Sequence, residues 1–183
     1  MVGDHLAMDL LNTEASVNGE TVDFWHTGED VLRWLGLYGI GPARVDGTVD
    51  LNLLLTRAKA LRPLVKRLIV ERKEERLGDI AGLDAYLHAH VSAPHLARDS
   101  EGRLTLTRVD RADPVASMLG AVAEAAAQLL VEGDFGLVKQ CEHPECILWF
   151  YDRTKAHKRR WCSMAVCGNR YKAAQFRKKA GLG

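Results

Sequence analysis

The sequence predicts a mainly α (α+β) protein in two parts, a helical N-terminal unit carrying one small β-hairpin and a short cysteine-bearing C-terminal unit. Three observations predict it. Apolar residues recur at helical spacing through 49–75 and again through 115–131. One tract, 94–110, alternates apolar and polar residues about a turn. All four cysteines fall within the last 45 residues.

The first unit reads as follows in chain order. Thr27 ahead of GEDVLRWLGLYG is a capping residue with acids in the first turn and glycines at the end, which predicts a short helix over 27–36 with Trp34 packed inward. Leu51, Leu54, Leu55, Ala58, Leu61, Val65, Leu68 and Ile69 mark one buried face of a helix over 49–75. Pro63 lies inside that run, and because proline lacks an amide proton and crowds the preceding turn, a kink or break is expected between 59 and 62. A short helix over 79–90 should follow. Leu104 and Leu106 then alternate with Arg103, Thr105 and Thr107 after the turn DSEG, the one clear hairpin signal of this unit. Asp113 as cap and Pro114 in the first turn open a helix that is apolar on nearly every side and therefore central. Nearer the start, Asp4, His5, Asp9, Asn12, Thr13 and Glu14 surround Leu6, Met8, Leu10 and Leu11. That series reads as the outer face of a first helix, with the lining of a ligand pocket as the alternative.

A boundary is expected at VEGDFG, 131–136, which divides the chain into 1–135 and 136–183. With 47% apolar and 27% charged residues among 183, the composition excludes a disordered chain and offers no sign of a membrane partner. The first residues have neither a basic start nor a sustained apolar run, so a cytoplasmic location and reduced cysteines are expected. The net charge of +1 conceals an asymmetry: 139–183 holds eleven Lys and Arg against three acids, and the rest holds fourteen against twenty-one.

Cys141, Cys146, Cys162 and Cys167 are spaced C-x4-C-x15-C-x4-C. Two local pairs of soft donors suit one tetrahedral ion, and zinc is the default for four thiolates, with another metal or thiol redox chemistry as alternatives to one structural Zn2+. Four cysteines close the coordination sphere, so no catalytic role is expected there. His143 and His157 are then bystanders, although His143 could replace a cysteine in a three-sulfur site. A cysteine loop, the strand-like ILWFYD and a helix from about 168 to 179 would make a treble-clef-like zinc finger, with Trp149, Phe150, Tyr151 and Trp161 as its miniature core. Gly168 would allow a close backbone approach beside the metal, and Asn169 an unusual turn conformation.

Lys155, Lys158, Arg159 and Arg160 precede the second cysteine pair, while Arg170, Lys172, Arg177, Lys178 and Lys179 follow it. Phosphates are the natural complement of such a cluster, so nucleic acid, duplex DNA first, is the expected partner. Asn169, Arg170 and Gln175 have donors and acceptors suited to base edges. Some of these cations could instead balance the formal charge of a four-thiolate zinc site. An RNA-binding module, a protein-interaction module and an enzyme with its pocket in the first unit remain as other readings. No glycine-rich phosphate loop, G-x-S-x-G or H-E-x-x-H supports the last.

CGNR at 167–170, preceded by RRWCSMAV and FYDRTK, closely resembles the CGNR zinc finger over about 137–180. LAMDLLNTEA at 6–15 resembles the opening of the ABATE-type domain that accompanies this finger. The resemblance implies a bacterial, stress-linked transcription regulator with a C-terminal DNA-binding finger and a sensory N-terminal domain. Its metal ligands would fall on Cys141, Cys146, Cys162 and Cys167, and its signature residues on Gly168, Asn169 and Arg170. A small-molecule ligand of the first unit and a homodimer are left open.

Overall fold

The computed structural model describes residues 2–41, 48–76, 78–110 and 113–180. In chain order, α1 (Leu6–Leu11), β1 (Glu14–Val17) and β2 (Glu20–Asp23) lead to α2 (Gly28–Gly36), α3 (Leu51–Lys73) and α4 (Ala81–Ala89). The strands β3 (Ser92–Arg98) and β4 (Leu104–Asp110) precede α5 (Pro114–Glu132). After it come β5 (Val138–Gln140), β6 (Trp149–Tyr151), a π-helical turn (Met164–Gly168) and α6 (Asn169–Lys179). Two compact units result. One is Trp25–Val131; the other joins Met1–Phe24 to Glu132–Gly183.

Within Trp25–Val131 the helices form for the reasons the sequence supplies. Thr27 caps α2, and its backbone N–H donates to Asp30 Oδ2 at 2.9 Å, which completes a capping box. Asp50 caps α3 by accepting from the Leu53 N–H at 2.9 Å. Leu54, Ala58, Leu61, Val65, Leu68 and Ile69 of α3 are all buried. Contrary to the expected break, α3 runs uninterrupted through Pro63. Pro63 lies on the exposed side of the helix, where water can satisfy the carbonyl one turn back. Arg62 is buried with its guanidinium 4.8 Å over the Trp25 ring, and Trp25 in turn meets Trp34 edge-on at 5.3 Å.

Asp113 accepts the Ala116 N–H at 3.0 Å and so starts α5, which buries ten of its nineteen residues. By length and composition this helix could cross a membrane, but more than half of its apolar stretch is packed inside the protein. β3 and β4 form the expected hairpin, with Leu96 opposite Leu106 and Arg98 opposite Leu104.

The other unit contains an element the sequence reading passed over. β1 and β2 are joined by Asn18 and Gly19, both at positive φ (53° and 86°), the Asn-Gly turn whose twist matches a two-residue hairpin. The polar residues around α1 do not form an outer face. Asp9 and Thr13 are buried, Asp9 accepts the Gly3 N–H at 2.9 Å, and Thr13 Oγ1 donates to the Leu10 carbonyl at 2.7 Å. Each is buried because a local backbone group satisfies it.

Asn12 extends this pattern to the C-terminal strands. Its Nδ2 donates to the Trp149 carbonyl and its Oδ1 accepts the Trp149 N–H, both at 2.8 Å, so the side-chain amide pairs with β6 as a neighbouring strand would. Two residues on, the Tyr151 N–H donates to the Gly3 carbonyl at 2.8 Å. Residues 2–12 therefore complete the edge of the cysteine-bearing segment.

Candidate metal centre and nucleic-acid interface

β5 and β6 pair antiparallel, with Val138 opposite Tyr151 and Gln140 opposite Trp149, and the connection between them carries Cys141 and Cys146. Cys141 N–H donates to the Leu148 carbonyl and Cys146 N–H to the His143 carbonyl, both at 2.9 Å, which turns the two sulfurs inward. The second pair sits where the chain enters the π-helical turn. Ser163 caps that turn, and Gly168 N–H donates back to the Ser163 carbonyl at 3.1 Å, bringing Cys167 round to Cys162. A bond from Glu142 N–H to the Arg160 carbonyl at 3.0 Å and an ion pair of Arg160 Nε with Glu142 at 2.6 Å tie the two cysteine loops together.

The four Sγ atoms lie within 4.8 Å of one another. Cys146 to Cys162 is 3.7 Å and Cys162 to Cys167 is 3.6 Å. A tetrahedron with metal–sulfur bonds of about 2.3 Å has sulfur–sulfur edges of about 3.8 Å, so these spacings match a shared ion, and they are far beyond a disulfide bond of about 2 Å. The four cysteines are unbridged and placed to bind one metal ion, and their donor set and spacing suit a structural zinc. His143 is outside the set; its Nδ1 accepts the Glu145 N–H at 3.3 Å and shapes the first loop.

Burial pushes the Cys162 thiol far up and the Cys167 thiol up to about 12, with the neighbouring sulfurs of Cys146 and Cys141 adding to both. Burial acts upward on Cys141 as well, but hydrogen bonds from the Cys162 and His143 backbone and from the Cys146 and Cys162 thiols hold it below the ordinary value. A divalent cation reverses the balance by supplying the charge that burial withholds. Metal uptake therefore releases protons, and affinity falls on acidification.

Around the sulfurs, Phe150 is fully buried against Cys141, Cys162 and Cys167, with Leu148 and Trp161 packed alongside. Trp161 stacks on Tyr171 of α6 at 4.8 Å, which seats the helix on the core. Gly168 leaves room for its neighbours. Its φ is an ordinary −62°, yet a Cβ there would lie 2.4 Å from Met164 Sδ and 3.1 Å from Trp161 Cδ1. Asn169 also has a helical φ of −69° and needs no special tolerance; its Nδ2 donates to the Ala165 carbonyl at 3.2 Å.

A carboxylate that the sequence reading did not single out organises the loop before the second cysteine pair. Asp152 is fully buried and accepts from Lys139 Nζ at 2.7 Å, Thr154 Oγ1 at 2.6 Å, Thr154 N–H at 3.1 Å and Arg159 N–H at 2.9 Å. Burial alone would raise this carboxyl, but the Lys139 ammonium and the Thr154 and Arg159 donors hold it well below the usual range. A carboxyl depressed on folding contributes stability above its unfolded pKa of about 3.9 and loses it as pH falls through the folded value. Asp152→Asn should cost about 2 kcal/mol at pH 7, because Lys139 loses its counter-charge and keeps only the His157 and Arg159 carbonyls, at 2.8 and 3.4 Å. The gap between the thermal melts of wild type and variant should begin to narrow as pH falls below about 3.9 and close only as pH nears the depressed folded value; a constant gap across pH would refute the role.

The basic residues divide into two groups. Arg159 is turned inward: it pairs with Asp4, donates to the carbonyls of Val2 and Trp161 at 2.8 and 2.9 Å, and lies 4.2 Å over Phe150. Arg160 pairs with Glu142 and lies over Trp161 and Tyr171 at 4.9 and 5.7 Å. Lys155, Lys158, Asn169, Arg170, Lys172, Arg177 and Lys178 are exposed. α6 buries no residue and carries five Lys and Arg without an acid. In the helical unit a cavity of about 280 Å³ is bounded by Arg57, Tyr86, Ala89, Val115, Ala116 and Leu119.

Residues 138–180 match the CGNR zinc finger, and residues 4–133 match the ABATE domain, described as "Putative stress-induced transcription regulator". The second match spans more than half of the chain. The chain belongs to the ABATE family and carries a CGNR zinc finger. No curated protein matches the sequence. The CGNR tetrad itself now has a physical content: Cys167 is a metal ligand, Gly168 makes room for Met164 and Trp161, Asn169 closes the π-helical turn onto Ala165, and Arg170 opens the exposed basic helix.

Proposed function

We propose that this ABATE protein is a cytoplasmic transcription regulator whose zinc-organised finger binds duplex DNA, with no catalytic role. The observation that carries the reading is α6, an exposed helix with five cations, no acid and no buried side chain, seated on the metal core by Tyr171 alone among its aromatic residues. Lys155 and Lys158 extend the same charge along the loop fixed by Asp152. Arg159 supports this surface from within by tying the loop to 2–4, while Arg160, exposed and paired with Glu142, adds to the surface itself. A closed set of four thiolates offers no open coordination position for substrate, which supports a binding role over an enzymatic one.

Functionally we divide the chain into a sensory part, 1–135, and the finger, 136–183, with the first 24 residues doing double duty as part of the finger's compact unit. A small apolar effector fits the cavity beside Tyr86, whose hydroxyl is already committed to the Arg57 carbonyl at 2.8 Å. A homodimer is favoured by the β3–β4 hairpin, which exposes Leu96, Leu104 and Leu106 on one face, each by more than 60%. Leu106→Lys should then halve the mass seen by light scattering; an unchanged mass would place the dimer elsewhere or nowhere.

Competition between a random duplex DNA pool and structured RNA hairpins for zinc-loaded protein tests the reading. Duplex DNA should displace RNA, and the reverse preference would make this an RNA-binding protein.

A further inference from the structure

The surface of α6 is patterned as well as charged. With about 100° per residue, Asn169, Ala173 and Phe176 form one stripe along the helix, and Phe176 stands about 140° around from Tyr171, the residue that faces the core. Phe176 is 70% exposed, an unusual position for a large aromatic on a helix that buries nothing. Arg170 and Arg177 run along one side of the stripe, and Lys172 and Lys179 along the other. Each pair is separated by seven residues, or about 10.5 Å of helix.

Two parallel rows of cations flanking an apolar centre are the complement of a major groove, whose phosphate walls stand about 12 Å apart and whose floor presents base edges. Asn169, at the first turn, has one Nδ2 hydrogen held by the Ala165 carbonyl, and the middle of the stripe is Ala173 and Phe176, whose side chains have no donor or acceptor. The one apolar group that the major-groove floor offers is the thymine 5-methyl.

Resting on the duplex-binding reading above, we propose that α6 lies in the major groove and that Phe176, with Ala173, reads a thymine methyl, making Phe176 the specificity-determining residue of the finger. Arg170, Arg177, Lys172 and Lys179 hold the helix by phosphate contacts and contribute affinity without selecting sequence.

The test uses full-length, zinc-loaded protein and the duplex it enriches from a random pool, resynthesised with deoxyuridine replacing thymine one position at a time. That change removes only the methyl. At about 0.8 kcal/mol per buried methyl-sized group, substitution at the read position should weaken binding about fourfold. Phe176→Ala should lose the same factor on the thymine duplex and show no further loss on the deoxyuridine duplex. Its salt dependence should equal that of wild type, because the phosphate contacts are intact. Equal wild-type affinity for every deoxyuridine duplex, or wild-type binding by Phe176→Ala, would overturn the methyl reading while leaving duplex binding standing. Failure to bind any duplex would overturn duplex binding and this inference with it.

Discussion

Cys162→Ser is expected to remove the zinc and unfold the finger while leaving Trp25–Val131 folded. Cys162 is the sulfur closest to two others, at 3.7 and 3.6 Å, so its loss leaves three ligands and an open edge. Structural zinc in small fingers contributes on the order of 10 kcal/mol, far more than the few apolar side chains around Phe150 can replace. Metal analysis should fall from one zinc per chain to none, and hydrogen exchange should rise through 138–176 but not through α3 and α5. Unchanged zinc content would refute the ligand assignment.

Arg170→Ala combined with Lys172→Ala should produce the largest loss of duplex binding that leaves the fold intact. Both side chains are exposed on α6, and alanine favours the helix, so stability should hold. Removing two phosphate contacts lowers the magnitude of the log affinity against log salt slope by about two and weakens binding by tenfold or more near 0.1 M salt. Parallel lines for variant and wild type would move the contact surface off α6. Arg159→Ala would test something different, since that side chain is spent on Asp4, Val2 and Trp161 and its loss should act on stability.

Periodicity and spacing made much of this molecule legible. The helical faces of α3 and α5, the β3–β4 hairpin and the four-cysteine site follow from apolar repeats, turn residues and ligand spacing. What stayed hidden depends on contacts between residues far apart in the chain. Asn12 pairs with Trp149 across 137 positions and Arg159 reaches Asp4 across 155, and nothing in either local sequence marks such a partner. For the same reason the surface lysines and arginines look alike in sequence, although Arg159 is turned inward onto Asp4 while Arg160, Arg170 and Lys172 are exposed. Asp152 drew no notice because a single acid among cations gives no sign of being buried. The β1–β2 hairpin is a different case: Asn18 and Gly19 are a strong turn signal that was present and passed over beside the helical pattern around it. Pro63 does not end α3, since its effect depends on which side of the helix meets water.

The most direct measurement is duplex affinity across a salt series for zinc-loaded and chelator-stripped protein side by side. For the zinc-loaded form the account predicts a log–log slope between about −4 and −5, from Arg170, Lys172, Arg177 and Lys179 alone or joined by Lys155 and Lys158. Stripping the metal should abolish the high-affinity mode. A zinc-loaded protein with a flat salt dependence, or a stripped one that binds equally well, would contradict the claim that the metal centre builds a phosphate-binding surface.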